Sequence, residues 1–121
     1  MAVMCAVYLH LSHLIDRWNK FMQSMDNLKK LGKLSGAENH AWQKFQEFNQ
    51  AAMAPGILPA KTKELIALGV ALTTQCSYCL EIHREAAIKA GVTQEEIAEV
   101  VIVAAALRAG GAITHGTQLL S

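Results

Sequence analysis

Cys76, Cys79 and His83 stand three and four residues apart in the stretch Cys76-Ser77-Tyr78-Cys79-Leu80-Glu81-Ile82-His83. At about 3.6 residues per turn, helix positions three, four and seven apart share a face. Both thiols and the imidazole therefore point the same way if the stretch is helical, and its surroundings carry a helical pattern. Tyr78, two positions from Cys76, points elsewhere or sits at the rim. This constrains the fold. A thioredoxin-type site needs strands, and the chain shows almost no strand pattern, so the predicted fold class is all-α. A thiol pair with an imidazole in reach indicates redox or nucleophilic chemistry before packing.

The residues before the pair supply a candidate partner. Leu65, Ile66, Leu68, Val70 and Leu72 make a helix over about 60–73 apolar nearly all round, hence central. Its charged residues, Lys61, Lys63 and Glu64, crowd the first turns. Thr73-Thr74-Gln75 is a weak helix stretch just before the first cysteine. If the chain reverses there into a helical hairpin, Glu64 lies about 16 Å back from Gln75 and His83 about 12 Å beyond it, at 1.5 Å per residue. The carboxylate and the imidazole come almost level across the hairpin. A carboxylate facing a histidine orients the ring and stabilises its charged form. Taken alone, Glu64 also reads as a carboxylate favoured by the helix start.

Elsewhere the signals are helical too. Met4, Val7, Leu11, Leu14, Trp18, Phe21, Met25 and Leu28 form an a/d seam, predicting one long helix, or two with a bend, over residues 1–31 that packs on the protein's own body or on another subunit. Cys5 reads as a small buried residue, and His10 and His13 as surface or interface residues. Gly32 and Ser35-Gly36 mark a break, and Ser35 with Glu38 has capping-box form. The next helix carries Ala41, Phe45, Phe48 and Ala52 on one face, with Trp42 and the phenylalanines expected in the core, and ends near Ala54-Pro55-Gly56. The cysteine-bearing helix runs from about Cys76 to Ala90, with Gly91 as its stop. A cysteine at a helix start meets unpaired N–H groups and the positive dipole end, which lower a thiol's pKa. Thr93 and Glu96 form a second capping box, opening a helix expected to end before Gly110-Gly111, with a short last helix over 112–120.

Length and charge narrow the function. A chain of 121 residues fits one domain spanning 1–121. A formal charge of +1 without a basic stripe argues against a nucleic-acid partner. An apolar fraction of 52% is high for so small a domain and points to buried subunit interfaces. The longest apolar run, 100–107, falls short of the roughly 18 residues of a membrane span, so no membrane partner is expected. With no charged leader and no disulfide framework in three cysteines, a cytoplasmic protein is expected. A zinc centre would need a fourth ligand from Glu64 or another subunit. A c-type haem would need histidine where Leu80 stands. No cofactor or metal is expected, and two buried cysteines beside a core histidine is the bland alternative.

Glu64, eleven intervening residues, Cys76, Cys79 and His83 resemble the E-x11-C-x2-C-x3-H signature of the AhpD-like (alkylhydroperoxidase D) proteins, within the carboxymuconolactone decarboxylase superfamily. Leu58-Pro59-Ala60-Lys61-Thr62-Lys63-Glu64-Leu65, and 90–97, are similar as well, and the resemblance covers roughly residues 55–118. It implies an AhpD-like helical fold with a central hairpin carrying the cysteine pair, and assembly into trimers or hexamers. It implies peroxiredoxin-type activity on a hydroperoxide, restored by an external thiol reductant of lipoyl or thioredoxin type. Carried over by motif, Glu64 is the relay carboxylate, His83 the relay base, Cys79 the attacking thiolate and Cys76 the resolving thiol. One position departs from the pattern: the prototype has a histidine where this chain has Tyr78, so the relay is shortened or the tyrosine hydroxyl serves. Redox sensing or thiol–disulfide exchange by an oligomer, and a decarboxylase-type lyase, are the alternatives. The decarboxylase branch generally lacks the cysteine pair.

Overall fold

The computed structural model describes residues 24–121. Most of the predicted N-terminal seam, with Cys5, His10 and His13, lies outside the described residues. The chain divides into two compact units, 1–45 and 46–121. Every described element is helical. A 3-10 turn, Met25–Lys30, leads into α1 (Leu31–Ala37) and α2 (Asn39–Met53), within which the division falls. Then follow α3 (Ala60–Thr74), α4 (Ser77–Lys89), α5 (Gln94–Gly116) and a closing 3-10 turn, Thr117–Leu119.

Several boundaries differ from the sequence reading, each for a local reason. The predicted first helix does not run unbroken to residue 31. Ser24 caps a fresh start, its hydroxyl accepting the Asp26 N–H at 3.3 Å. The Ser35 hydroxyl donates back to the Gly32 carbonyl, inside a helix that passes through Gly32 and Ser35-Gly36. The break falls at Glu38, whose own carboxylate accepts the Ala41 N–H at 3.0 Å. Gly110 and Gly111 do not end α5, which continues to Gly116. Neither glycine has a neighbour its missing side chain would touch, and their cost of about 1 kcal/mol each is carried by the alanines and aliphatics around them.

In the second unit α3 is central, packing on both α4 and α5. Leu68, Ala87 and Val92 form the buried cluster, with Leu65, Leu80, Ile97 and Val100 against it. Leu68→Ala would cost about 2–5 kcal/mol by the usual cavity penalty. Three features fix the hairpin. The Thr73 and Thr74 hydroxyls bond back to the Val70 carbonyl at 2.9 and 2.8 Å, a local alternative to continuing the helix. Gln75 then takes a left-handed conformation, φ 56°. Arg108 of α5 donates to the Thr73 carbonyl at 2.6 Å, satisfying an end group of α3. The Thr93–Glu96 capping box forms as expected, and Glu96 also pairs with Lys61 of α3 at 2.7 Å.

The rest of the apolar surface is open. Phe45 and Phe48 are exposed rather than in the core, and α2 buries no residue. Leu107 and Ile113 of α5 are 71% and 72% exposed. The segment Gln94–Leu119 is long and apolar enough to cross a membrane by length and composition alone. Counting unbroken apolar runs missed this because Arg108, two glycines and Thr114 interrupt it.

Candidate active site

The site grows out of the α3–α4 hairpin. Gln75 reverses the chain and the Cys76 N–H turns back to the Ala71 carbonyl at 3.1 Å. Cys76 is thereby set, in extended conformation, as the N-cap of α4. Its sulfur accepts the Cys79 N–H at 3.3 Å, taking one of the donors that a helix start leaves unpaired. Cys76 and Cys79 are joined as a disulfide with their Cα atoms 5.3 Å apart, within the normal span for such a bridge.

One turn further on, His83 meets Glu64. The ring Nδ1 lies 2.8 Å from Glu64 Oε2, with the two side chains only 25% and 13% exposed. The carboxylate occupies Nδ1, so Nε2 is the nitrogen left to exchange a proton. The two residues come from different helices and are nineteen positions apart, so their meeting depends on the hairpin's register.

Cys79 and His83 line a cavity of about 390 Å³. Its second side is a single stripe of α3, including Ile66, Ala67, Val70 and Ala71. Its third side is Ala52 and Met53 at the end of α2, with Leu58 of the following connection. Cys76 and Tyr78 are not among the lining residues; both are half-buried. A larger groove, about 580 Å³, runs between α3 and α5 but holds no thiol or imidazole, so the smaller cavity is the one with chemistry. Among the described residues, no group of three or more His, Cys, Asp or Glu side chains is arranged to hold a metal ion.

The structure thus brings Glu64 to His83, and His83 and Cys79 to one cavity, with Cys76 bonded behind. His40 and His115 join no such cluster. The sequence reading treated Lys63 only as one charge among several, yet its ammonium lies 2.6 Å from both the Ala52 and the Ala54 carbonyls, beside the cavity. A signal was available: a cation in the first turn of a helix is disfavoured by that helix's dipole.

Comparison with known proteins agrees with this architecture. The chain is 40% identical over 91 residues to an uncharacterised protein of the cox locus of Paracoccus denitrificans, covering 75% of this chain and 82% of that one. It is 31% identical over 93 residues to an uncharacterised protein of Cupriavidus necator, covering 77% and 82%. Among solved structures, a protein from Methanobacterium thermoautotrophicum superposes with a TM-score of 0.69 at 30% identity, over 73% of this chain and 99% of that one. A carboxymuconolactone decarboxylase family protein from Legionella pneumophila gives a TM-score of 0.67 at 30% identity, over 82% and 89%. The profile of the carboxymuconolactone decarboxylase family matches residues 40–121, and the chain belongs to that family.

Proposed function

We propose that the chain is a thiol-dependent peroxidase, reducing an organic hydroperoxide through Cys79 with Cys76 as the resolving thiol. The observation that carries this reading is the shared apolar cavity: it presents Cys79 beside His83, whose ring is held by Glu64. In the reduced protein His83 accepts the Cys79 proton. The thiolate sulfur attacks the terminal peroxide oxygen, the O–O bond breaks, and Cys79 becomes a sulfenic acid. The departing alkoxide takes the proton back from His83 and leaves as the alcohol. The Cys76 thiol then displaces water from the sulfenic sulfur, forming the disulfide. An external dithiol supplies two electrons by exchange and restores both thiols. Attack by Cys76 on an outside disulfide, with Cys79 closing the pair, is the second reading. The placement of Cys76 at the helix start and outside the cavity lining favours it. We further propose that copies of the chain, as a trimer or hexamer, cover the exposed apolar faces of α2 and α5.

A free-thiol titration after stoichiometric peroxide tests this, alongside Cys76→Ser and Cys79→Ser. The expected result is rapid loss of two thiols per chain, with a sulfenic acid trapped in Cys76→Ser only. Thiols that survive peroxide but react with a small disulfide would make the protein an exchange factor instead.

A further inference from the structure

Two sides of the Cys79 cavity are packed helices, α3 and α4, and the third is not. It consists of Ala52, Met53 and Leu58, at and just beyond the end of α2. This connection contains Pro55 and precedes Pro59, and proline has no N–H to donate. Within it Gly56 donates to the Leu58 carbonyl at 3.1 Å, which shapes the turn but does not attach it to α3. The end of a helix also leaves carbonyls without an intrahelical donor. Lys63 takes two of them at once: its Nζ lies 2.6 Å from Ala52 O and 2.6 Å from Ala54 O. An ammonium at a helix C-terminus both satisfies these oxygens and faces the negative end of the dipole. Lys63 shares the α3 stripe with Ile66, Ala67 and Val70, so its side chain fastens the third side of the cavity to the second.

We propose that Lys63 is a positioning residue, a clasp that fixes the 52–58 segment against α3 and so sets how closely the cavity fits an apolar group beside Cys79. Its effect on substrate choice rests on the peroxidase reading; the clasp itself does not. A bulky organic hydroperoxide touches all three sides and loses contact when the third is released. Hydrogen peroxide is too small to depend on it.

The test compares Lys63→Met, which keeps the length and apolar stem but has no donor, with Lys63→Arg, which keeps the donors. Reduction of cumene hydroperoxide and of hydrogen peroxide is followed with dithiothreitol as reductant, and amide hydrogen exchange is measured over 52–58. Lys63→Met is expected to raise KM for cumene hydroperoxide about tenfold with little change in kcat, to leave hydrogen peroxide within about twofold, and to speed exchange over 52–58 about tenfold, as for the loss of two solvent-exposed hydrogen bonds from one charged group. Lys63→Arg is expected to restore all three. Equal losses with both peroxides, or unchanged exchange over 52–58, overturn the proposal. If the wild-type protein reduces neither peroxide, the peroxidase reading fails, and the exchange data alone decide the clasp. Lys63→Leu, which also lacks a donor, replaces Lys63→Met should the latter not fold.

Discussion

The sulfur of Cys76 accepts the backbone N–H of Cys79 at 3.3 Å, so the first cysteine of the pair is also the cap of the helix that carries the second. On reduction, negative charge on Cys76 is stabilised by that N–H and by the helix start. Cys76 should therefore be alkylated before Cys79 when the reduced protein meets iodoacetamide at neutral pH, as read by mass spectrometry of the peptides. Equal rates would mean that the cap bond does not outlast the disulfide.

Glu64 and His83 are expected to act as one unit. Glu64→Gln should slow peroxide-driven disulfide formation about a hundredfold, within the usual range for positioned acid–base groups, and His83→Gln by at least as much. The double variant should be hardly worse than His83→Gln, because the carboxylate works through the ring. Stopped-flow thiol oxidation measures all three, and simple multiplication of the two losses would contradict the coupling.

The start of α5 should respond to acid. Hydrogen bonding from Lys61, then from the Thr93 backbone, holds the Glu96 carboxyl below its ordinary value of 4.5. A depressed folded-state value means that its stabilisation is present above about 4.5 and is lost as pH falls through the lower folded value. Thermal melts of Glu96→Gln and wild type should thus differ at neutral pH and converge in acid. Thr93→Ala removes the hydroxyl that accepts the Glu96 N–H, one half of the reciprocal cap, and should cost about 1 kcal/mol at neutral pH. A Glu96→Gln difference that persists unchanged into strong acid would count against this assignment.

Ile102 and Ile113 are eleven residues apart on α5, which places them on one face, and both are exposed in the single chain. If this face is covered in the trimer or hexamer proposed above, replacing both by Asp should dissociate it, seen as a fall in sedimentation coefficient. An unchanged coefficient would count against a subunit interface on this face.

The Glu64–His83 contact proved more legible in the sequence than the helix boundaries around it. Glu64 and His83 could be placed opposite each other by counting because both helices are regular and one residue, Gln75, reverses the chain. The cap at Thr93–Glu96 was legible for a similar reason: its partners are local. Ser35 and Glu38 have the same spacing, yet Ser35 bonds backwards to Gly32, a choice the pattern does not encode. Gly110-Gly111 reads as a stop only if neighbouring propensity is ignored. The third side of the cavity was legible only at Ala52, which belongs to the predicted apolar face of α2; Met53 and Leu58 follow no periodic pattern, and the Lys63 bonds to the Ala52 and Ala54 carbonyls have no signature in the spacing.

The left-handed Gln75 makes the eleven residues between Glu64 and Cys76 a ruler. With a single residue turning the chain, there is no slack to absorb a change of length. Each residue added to or removed from α3 between Glu64 and the turn would swing the carboxylate by about 100° around the helix axis. One such step would carry it away from the His83 ring. Two lineages of this architecture could exchange almost any surface side chain and keep the carboxylate on the imidazole, but neither could change the length of that interval.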